Sequence, residues 1–327
     1  MEATARAHSN IALVKYWGKR ASHLNLPAVG SISVTLEELH TTTSVKFNQD
    51  LTTDVLILNG RKTFGKELER TSEFLDIVRE QAGFNLNAEI ISENNFPTAA
   101  GLASSASGFA ALTLAGSDAA GLLLSGRELS VLARIGSGSA ARSIFGGFVE
   151  MHRGLTSDGS DAYAEQLENE RYWDLRILIG VTSQIKKKIG STDGMNLSKG
   201  TSPYYSSWIE NSENDLSIMR EAIRKKDFQQ LGDLSEFSCL KMHALALASN
   251  PGMLYWNGTT VEGMNLIRDL RKSGISVYFT IDAGPQLKAI CLPDAVDKVK
   301  GALEQLPGIQ KVICTKLGGD AQLLERN

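Results

Sequence analysis

The sequence predicts a two-domain protein of mixed α and β structure. Its 327 residues, 42% of them apolar, are enough for two ordinary cores. Short segments of period-two alternation recur between longer segments of helical spacing. Twice, a strand or helix gives way to the next helix through a loop of glycines and hydroxyl residues. We place the division near Gly180, giving domains 1–180 and 181–327. No internal repeat and no low-complexity tract is present.

The element order follows from local patterns. Residues 7–20, AHSNIALVKYWGKR, open as a short strand and end in a polar, aromatic turn. Ser31 to Leu39 alternates through Ile32, Val34 and Leu36, and Thr41 to Phe47 continues, which predicts a hairpin. Asp54 to Leu58 runs into Asn59-Gly60, a strong two-residue turn signal. Lys66 to Ala82 is an amphipathic helix with Leu68, Leu75, Val78 and Ala82 inward and Gly83 closing it. Asn87 to Glu93 is a strand with Ala88 and Ile90 on one face, and Ser107 to Gly121 is a buried, small-residue helix. Ser125 and Glu128 form a capping box for a helix ending at Gly136. Asp158 to Arg171 is polar enough to be a surface connection. Leu175, Ile177 and Ile179 mark a strand. Helices then span Trp208 to Lys226, Phe228 to Leu247 and Val261 to Lys272, and Ser276 to Ile281 is a strand. Val312 and Ile313 belong to the closing strands.

Composition excludes several functions. The net charge of −3, from 34 basic and 37 acidic residues, lacks the basic excess of a nucleic-acid or membrane-surface binder. No stretch reaches the roughly 18 apolar residues of a spanning helix, and no apolar run near the amino terminus suggests a signal peptide. Cys239, Cys291 and Cys314 are few and scattered, as reduced thiols of a cytoplasmic protein would be. The five histidines show no metal-ligand spacing, so a protein-built zinc site is not expected. No G-x-S-x-G elbow supports a serine hydrolase.

Five stretches carry chemistry. In residues 95–108, NFPTAAGLASSASG, small residues join a strand to a helix. Ser104 and Ser105 sit at helix-cap positions, and a helix amino terminus attracts phosphate. The pattern is neither a Walker loop nor a dinucleotide fingerprint; a tight packing turn is the plain alternative. Lys15 and Lys19 bracket Tyr16 and Trp17, suiting either an anionic small molecule or a surface hairpin. Gly136-Ser-Gly-Ser139 with Arg142 offers hydroxyls and a bidentate guanidinium to a carboxylate or phosphate. The run Lys186–Lys188 is either a mobile lid over phosphates or a solvated charge run. Asp282, at a strand end before Gly284-Pro285, is either a site carboxylate or a turn stabiliser.

Together these segments resemble the GHMP kinase superfamily and, within it, the mevalonate diphosphate decarboxylase family. The matching pieces are Asn10 to Lys19, Ser31 to Leu36, Asn95 to Ser105, Gly136 to Ser139 with Arg142, Ser191 to Met195, and Asp282 to Pro285, in the family's order. The resemblance implies an α+β, two-domain GHMP kinase fold: an amino-terminal ATP-binding domain with a left-handed crossover and a ferredoxin-like carboxy-terminal domain. It further implies ATP-dependent decarboxylation of 5-diphosphomevalonate to isopentenyl diphosphate in isoprenoid biosynthesis, with ATP and Mg²⁺ as cofactors, by a cytoplasmic homodimer. It assigns catalysis to Asp282, Arg142 and Lys15. Substrate contacts fall on Tyr16, Trp17, Gly18, Lys19, Ser137, Gly138, Ser139, Ala140, Ala141, Arg142 and Thr192. Nucleotide contacts fall on Pro97, Gly101, Leu102, Ala103, Ser104, Ser105 and Lys187, with Ser105 also a metal contact. Ala28-Val29-Gly30 stands where the family commonly has Thr-Asn-Ser, removing hydrogen-bonding groups beside the expected pocket. Ala141 replaces a common Cys, and Gln286 a common Asn. A phosphomevalonate decarboxylase, a mevalonate 3-kinase and a non-catalytic sensor on the same fold are the alternatives.

Overall fold

A computed structural model describes residues 1–96, 104–185 and 188–325 of the chain. β1 (Glu2–Val14) leads through a small ribbon, β2 (Lys19–Ala21) and β3 (Leu26–Pro27), into the long strand β4 (Ser31–Asn48). β1 and β4 pair antiparallel over nearly their whole length. The hairpin expected within Ser31–Phe47 is therefore one continuous strand. Nothing between Glu37 and His40 forces a reversal; opposite His8 and Ser9 those residues are taken up as a bulge instead.

β5 (Val55–Leu58) and β6 (Arg61–Thr63) are joined by Asn59 and Gly60, both at positive φ, as a two-residue hairpin turn requires. α1 (Lys66–Ala82) buries Phe74, Leu75 and Val78 and ends on left-handed Gly83. β7 (Asn87–Asn94) lies parallel to β5 and antiparallel to β4, so α1 is the crossover of a parallel pair. α2 (Ser104–Ala119) presents small side chains, and Ala110 and Ala111 sit in one buried cluster with Ala7 of β1. α3 (Gly126–Gly136) starts on the expected Ser125–Glu128 capping box. A 3-10 turn (Ala140–Ile144) and strands β8 (Phe148–Met151) and β9 (Ala164–Glu168) complete the first half. β9 was expected as loop; only Ala164 of it is fully buried, which left no alternation to detect.

β10 (Arg176–Val181) begins the second half, followed by α4 (Ser191–Thr201), α5 (Tyr205–Lys225), α6 (Phe228–Leu247) and α7 (Gly258–Lys272). β11 (Val277–Thr280), β12 (Leu287–Cys291), α8 (Val296–Gln305) and β13 (Lys311–Lys316) follow. The sheet order β11-β12-β10-β13 is antiparallel throughout. Numbered along the chain, that is fourth, first, third, second across the sheet, the ferredoxin-like arrangement. β10, which runs through the expected division near Gly180, is bonded on both sides, to β12 and to β13. The last strand, β14 (Gln322–Glu325), returns to pair with β1.

One core joins the halves. Ile11, Leu13, Ile32 and Val34 of the first sheet pack with Ile177, Ile179 and Ile290 of the second and with Leu216 and Met219 of α5. This packing brings the ends of β1 and β11 together, and with them Lys15 and Asp282.

Candidate active site

Asp282 lies two residues past β11, and α6 supplies partners for the intervening Ile281, where the ladder has ended. The Ile281 N–H donates to Cys239 Sγ (3.2 Å), while the Ile281 carbonyl lies 3.4 Å from that sulfur and 3.3 Å from His243 Nε2. Burial, reinforced by Lys15, drives the His243 pKa down to about 3, so its ring is neutral. Burial pushes the Cys239 thiol up to about 11. Lys15, just past β1, is held by its backbone N–H donating to Ser238 Oγ (2.9 Å). Its ammonium donates to the Ala12 carbonyl (2.8 Å) and to Asp282 Oδ1 (2.6 Å). Lys288 of β12 reaches Asp282 Oδ2 at 3.2 Å. Burial pushes the Asp282 carboxyl up, but Lys15 and Lys288 outweigh it and hold the group well below the usual carboxylate range.

Arg142 lies on the 3-10 turn and is only 2% exposed. Its guanidinium donates to Ser33 Oγ (3.0 Å), Ser31 Oγ (2.6 Å) and Asn10 Oδ1 (3.1 Å), all neutral oxygens. Asn10 is itself fixed by donating to the Ser139 carbonyl and Ser143 Oγ. Burial lowers the Arg142 pKa to about 10, while Asp282 and Tyr16 pull it back. A buried cation among neutral oxygens is unfavourable unless an anion completes the site. Ala140 and Ala141, on the same turn, are wholly buried.

The glycine–serine loop and the residues after Lys15 close the other wall. The Tyr16 hydroxyl is buried with no hydrogen-bond partner, and a Cβ on Gly138 would run into it. Burial raises its pKa well above the ordinary value. Trp17 is buried, its indole N–H on Ser198 Oγ and its carbonyl receiving the Trp208 indole. Gly18, at φ 104°, turns the chain where the Tyr205 ring leaves no room for a side chain. Lys19 donates to Thr192 Oγ1 (3.0 Å) at the start of α4, and Lys199 donates to the Lys19 carbonyl (3.1 Å). Burial, with Arg70 adding to it, lowers the Lys19 pKa to about 8. Ser137 Oγ stands 3.4 Å from both Ser139 Oγ and Ser105 Oγ, linking this loop to the first turn of α2.

Pro97, Gly101, Leu102, Ala103 and Lys187 lie outside the described residues, as does Lys186. Ser104 and Ser105 open α2, whose first turn carries no acidic side chain. Among the described residues no cluster of His, Cys, Asp or Glu could hold a metal. The donors that are present, hydroxyls such as Ser105, fit a magnesium ion that keeps waters and arrives bound to phosphates, as that ion prefers.

The sequence reading missed Lys288, Arg70, Asn10, Ser31, Ser33 and Tyr205 as members of this site. Arg70 reads as a solvated charge on α1, yet it donates to the Gly136 carbonyl (2.5 Å) and stacks on Phe109. Ala28-Val29-Gly30 is an apolar wall. Val29 is wholly buried beside Trp17, Met195 and Trp208, and a Cβ on Gly30 would meet Leu216 at 2.6 Å.

Comparison with known proteins agrees with this geometry. Residues 7–164 match the diphosphomevalonate decarboxylase-like N-terminal domain, and residues 177–322 the mevalonate 5-diphosphate decarboxylase C-terminal domain. The diphosphomevalonate decarboxylase of Debaryomyces hansenii is 38% identical over 323 residues, 92% of this chain and 82% of its own length. The phosphomevalonate decarboxylase of Haloferax volcanii is 33% identical over 328 residues, covering 100% of this chain and 99% of its own. The crystal structure of mevalonate diphosphate decarboxylase from Staphylococcus aureus matches with a TM-score of 0.94 at 43% identity, over 99% of this chain and 98% of that one. A structure in complex with MVAPP, AMPPCP and magnesium matches with a TM-score of 0.94 at 41% identity, over 100% and 99%.

Proposed function

The chain belongs to the diphosphomevalonate decarboxylase family, and on that footing we propose that it decarboxylates 5-diphosphomevalonate in an ATP- and Mg²⁺-dependent reaction. The observation that carries this is an ionised Asp282 between two lysines and, near enough to feel its charge, a buried Arg142 that lacks a carboxylate partner among the described residues.

Loss of CO₂ sends the C1–C2 bonding electrons into a new C2=C3 bond, so the C3 oxygen must depart. As hydroxide it is a very poor leaving group, the conjugate base of water with pKa about 15.7. As phosphate, with a second pKa of about 6, it leaves readily. Phosphorylation of the tertiary alcohol therefore comes first. Asp282 orients the C3 hydroxyl and takes its proton as the new P–O bond forms. Held between two cations it is a weak base, and it strengthens as Lys15 turns toward the incoming phosphoryl oxygens. Arg142 fixes the substrate carboxylate so that its C–C bond lines up with the departing phosphate. Tyr16, Trp17, Gly18, Lys19, Ser137 to Ala141 and Thr192 bind the remaining substrate, its diphosphate included. Gly101 to Ser105, with Pro97 and Lys187, receive the ATP phosphates. Ser105 would hold a magnesium ion arriving with those phosphates, which would supply charge neutralisation for the transferring group.

Lys19 gives this reading a pH signature. Anion binding favours the charged ammonium, and in the free protein that form is lost as pH rises through about 8. KM for the diphosphate is expected to rise above pH 8, by up to about tenfold per unit, with kcat little changed. Lys19→Gln should raise KM at neutral pH and remove the slope; initial rates from pH 6.5 to 9.5 check it.

A second reading, decarboxylation of 5-phosphomevalonate, has two supports: the relative from Haloferax volcanii and the apolar Ala28-Val29-Gly30 wall. ADP release measured with ATP, Mg²⁺ and each substrate in turn separates them. A higher kcat/KM for the diphosphate is expected; a higher value for the monophosphate gives the second reading. The cytoplasmic homodimer implied by the resemblance is part of the same proposal, and sedimentation of the purified chain tests the dimer.

A further inference from the structure

We propose that Lys288 is a positioning residue of this centre, the fixed counter-charge that keeps Asp282 ionised and oriented while Lys15 changes partners. The inference rests on the decarboxylase reading above. The two lysines hold different oxygens of one carboxylate, Lys15 Oδ1 at 2.6 Å and Lys288 Oδ2 at 3.2 Å. They arrive from different places. Lys15 stands past the end of β1, at the start of the Tyr16–Lys19 segment, with its side chain as buried as that of Lys288. Lys288 stands within β12, paired across the sheet with Ile179 of β10 and Thr280 of β11. Its residue is wholly buried, and its alternating neighbour Ile290 belongs to the core between the halves.

An ammonium in such a layer carries a large desolvation penalty. Apolar side chains usually serve stability there as well or better, so stability alone does not explain it. Its position explains it through Asp282. When Lys15 swings to the transferred phosphoryl group, Asp282, only 24% exposed, would otherwise be left with its charge uncompensated and free to rotate. Lys288, enclosed by the sheet, stays on Oδ2 and leaves Oδ1 to face the hydroxyl.

The test is Lys288→Met, compared with wild type in kcat, KM and melting temperature. The expected result is a kcat at least about tenfold lower with KM for the diphosphate within about twofold and a cooperative melt. Unchanged kcat, or kcat and KM that worsen together with the melt, overturns the proposal.

If Lys288→Met alone does not fold, the change is made in Asp282→Asn. Recovery of a cooperative melt there supports the pairing, and continued failure assigns Lys288 to structure and overturns it. The melts need no turnover, so a wild type inactive on both substrates would refute the proposed function without touching this pairing.

Discussion

Asp282→Asn is expected to lower kcat by about 10²–10⁴-fold, the usual contribution of a positioned acid–base group. KM for the diphosphate should change little, because the phosphate contacts lie on Tyr16–Lys19 and the glycine–serine loop rather than on this carboxylate. ADP and CO₂ should fall together, since phosphorylation precedes loss of CO₂. The variant also leaves Lys15 and Lys288 buried beside a neutral amide, and breaking a buried pair from one side costs about 3–5 kcal/mol. A melt recorded with the kinetics separates lost chemistry from lost fold. In the wild type the folded Asp282 pKa lies below the unfolded value of about 3.9. Its stabilising contribution is thus complete above the unfolded pKa and disappears as pH falls through the folded one. Asp282→Asn should be less stable than wild type at pH 7, and the gap should narrow in strong acid.

Arg142→Met is the second large effect. Each hydrogen bond to a charged group contributes about 1.5–3 kcal/mol, and a bidentate carboxylate contact makes two. The expected loss in kcat/KM is therefore about 10²–10⁴-fold. Arg142→Lys should recover little of it, because a single ammonium cannot span Ser31, Ser33 and the substrate carboxylate at once. Methionine is also relieved of the buried charge, so Arg142→Met is expected to melt no lower than wild type by more than a degree or two. That combination, full stability with lost turnover, is the mark of an arginine kept for its ligand. A variant that loses stability and activity in parallel would assign Arg142 to the fold instead.

How much of this was legible depended on how each signal is written. α1, α3 and α6 were readable because their apolar spacing, the Ser125–Glu128 box and the Gly83 cap are local. β12 and α8 were missed, and so was β9, whose side chains mostly face outward. The ferredoxin-like sheet order and the return of β14 to β1 depend on pairings far apart in sequence, which no local period encodes. Among site residues, Lys15 and Arg142 stand in short polar motifs and could be singled out. Lys288 could not: it sits between apolar neighbours and gains meaning only when the turn after β11 brings Asp282 beneath its ammonium. Asn10, Ser31 and Ser33 are similar, small polar residues in strands that read as packing until Arg142 is placed against them.

The central claim is that one pocket both phosphorylates the C3 hydroxyl and releases CO₂. It is tested most directly by incubating the protein with ATP, Mg²⁺ and 5-diphosphomevalonate and measuring ADP and CO₂ from the same reaction. Equal amounts of the two, at every time point and from both product assays, are expected. ADP without CO₂ would mean a kinase that stops at the phosphorylated alcohol, and would contradict the roles given to Arg142 and Lys15.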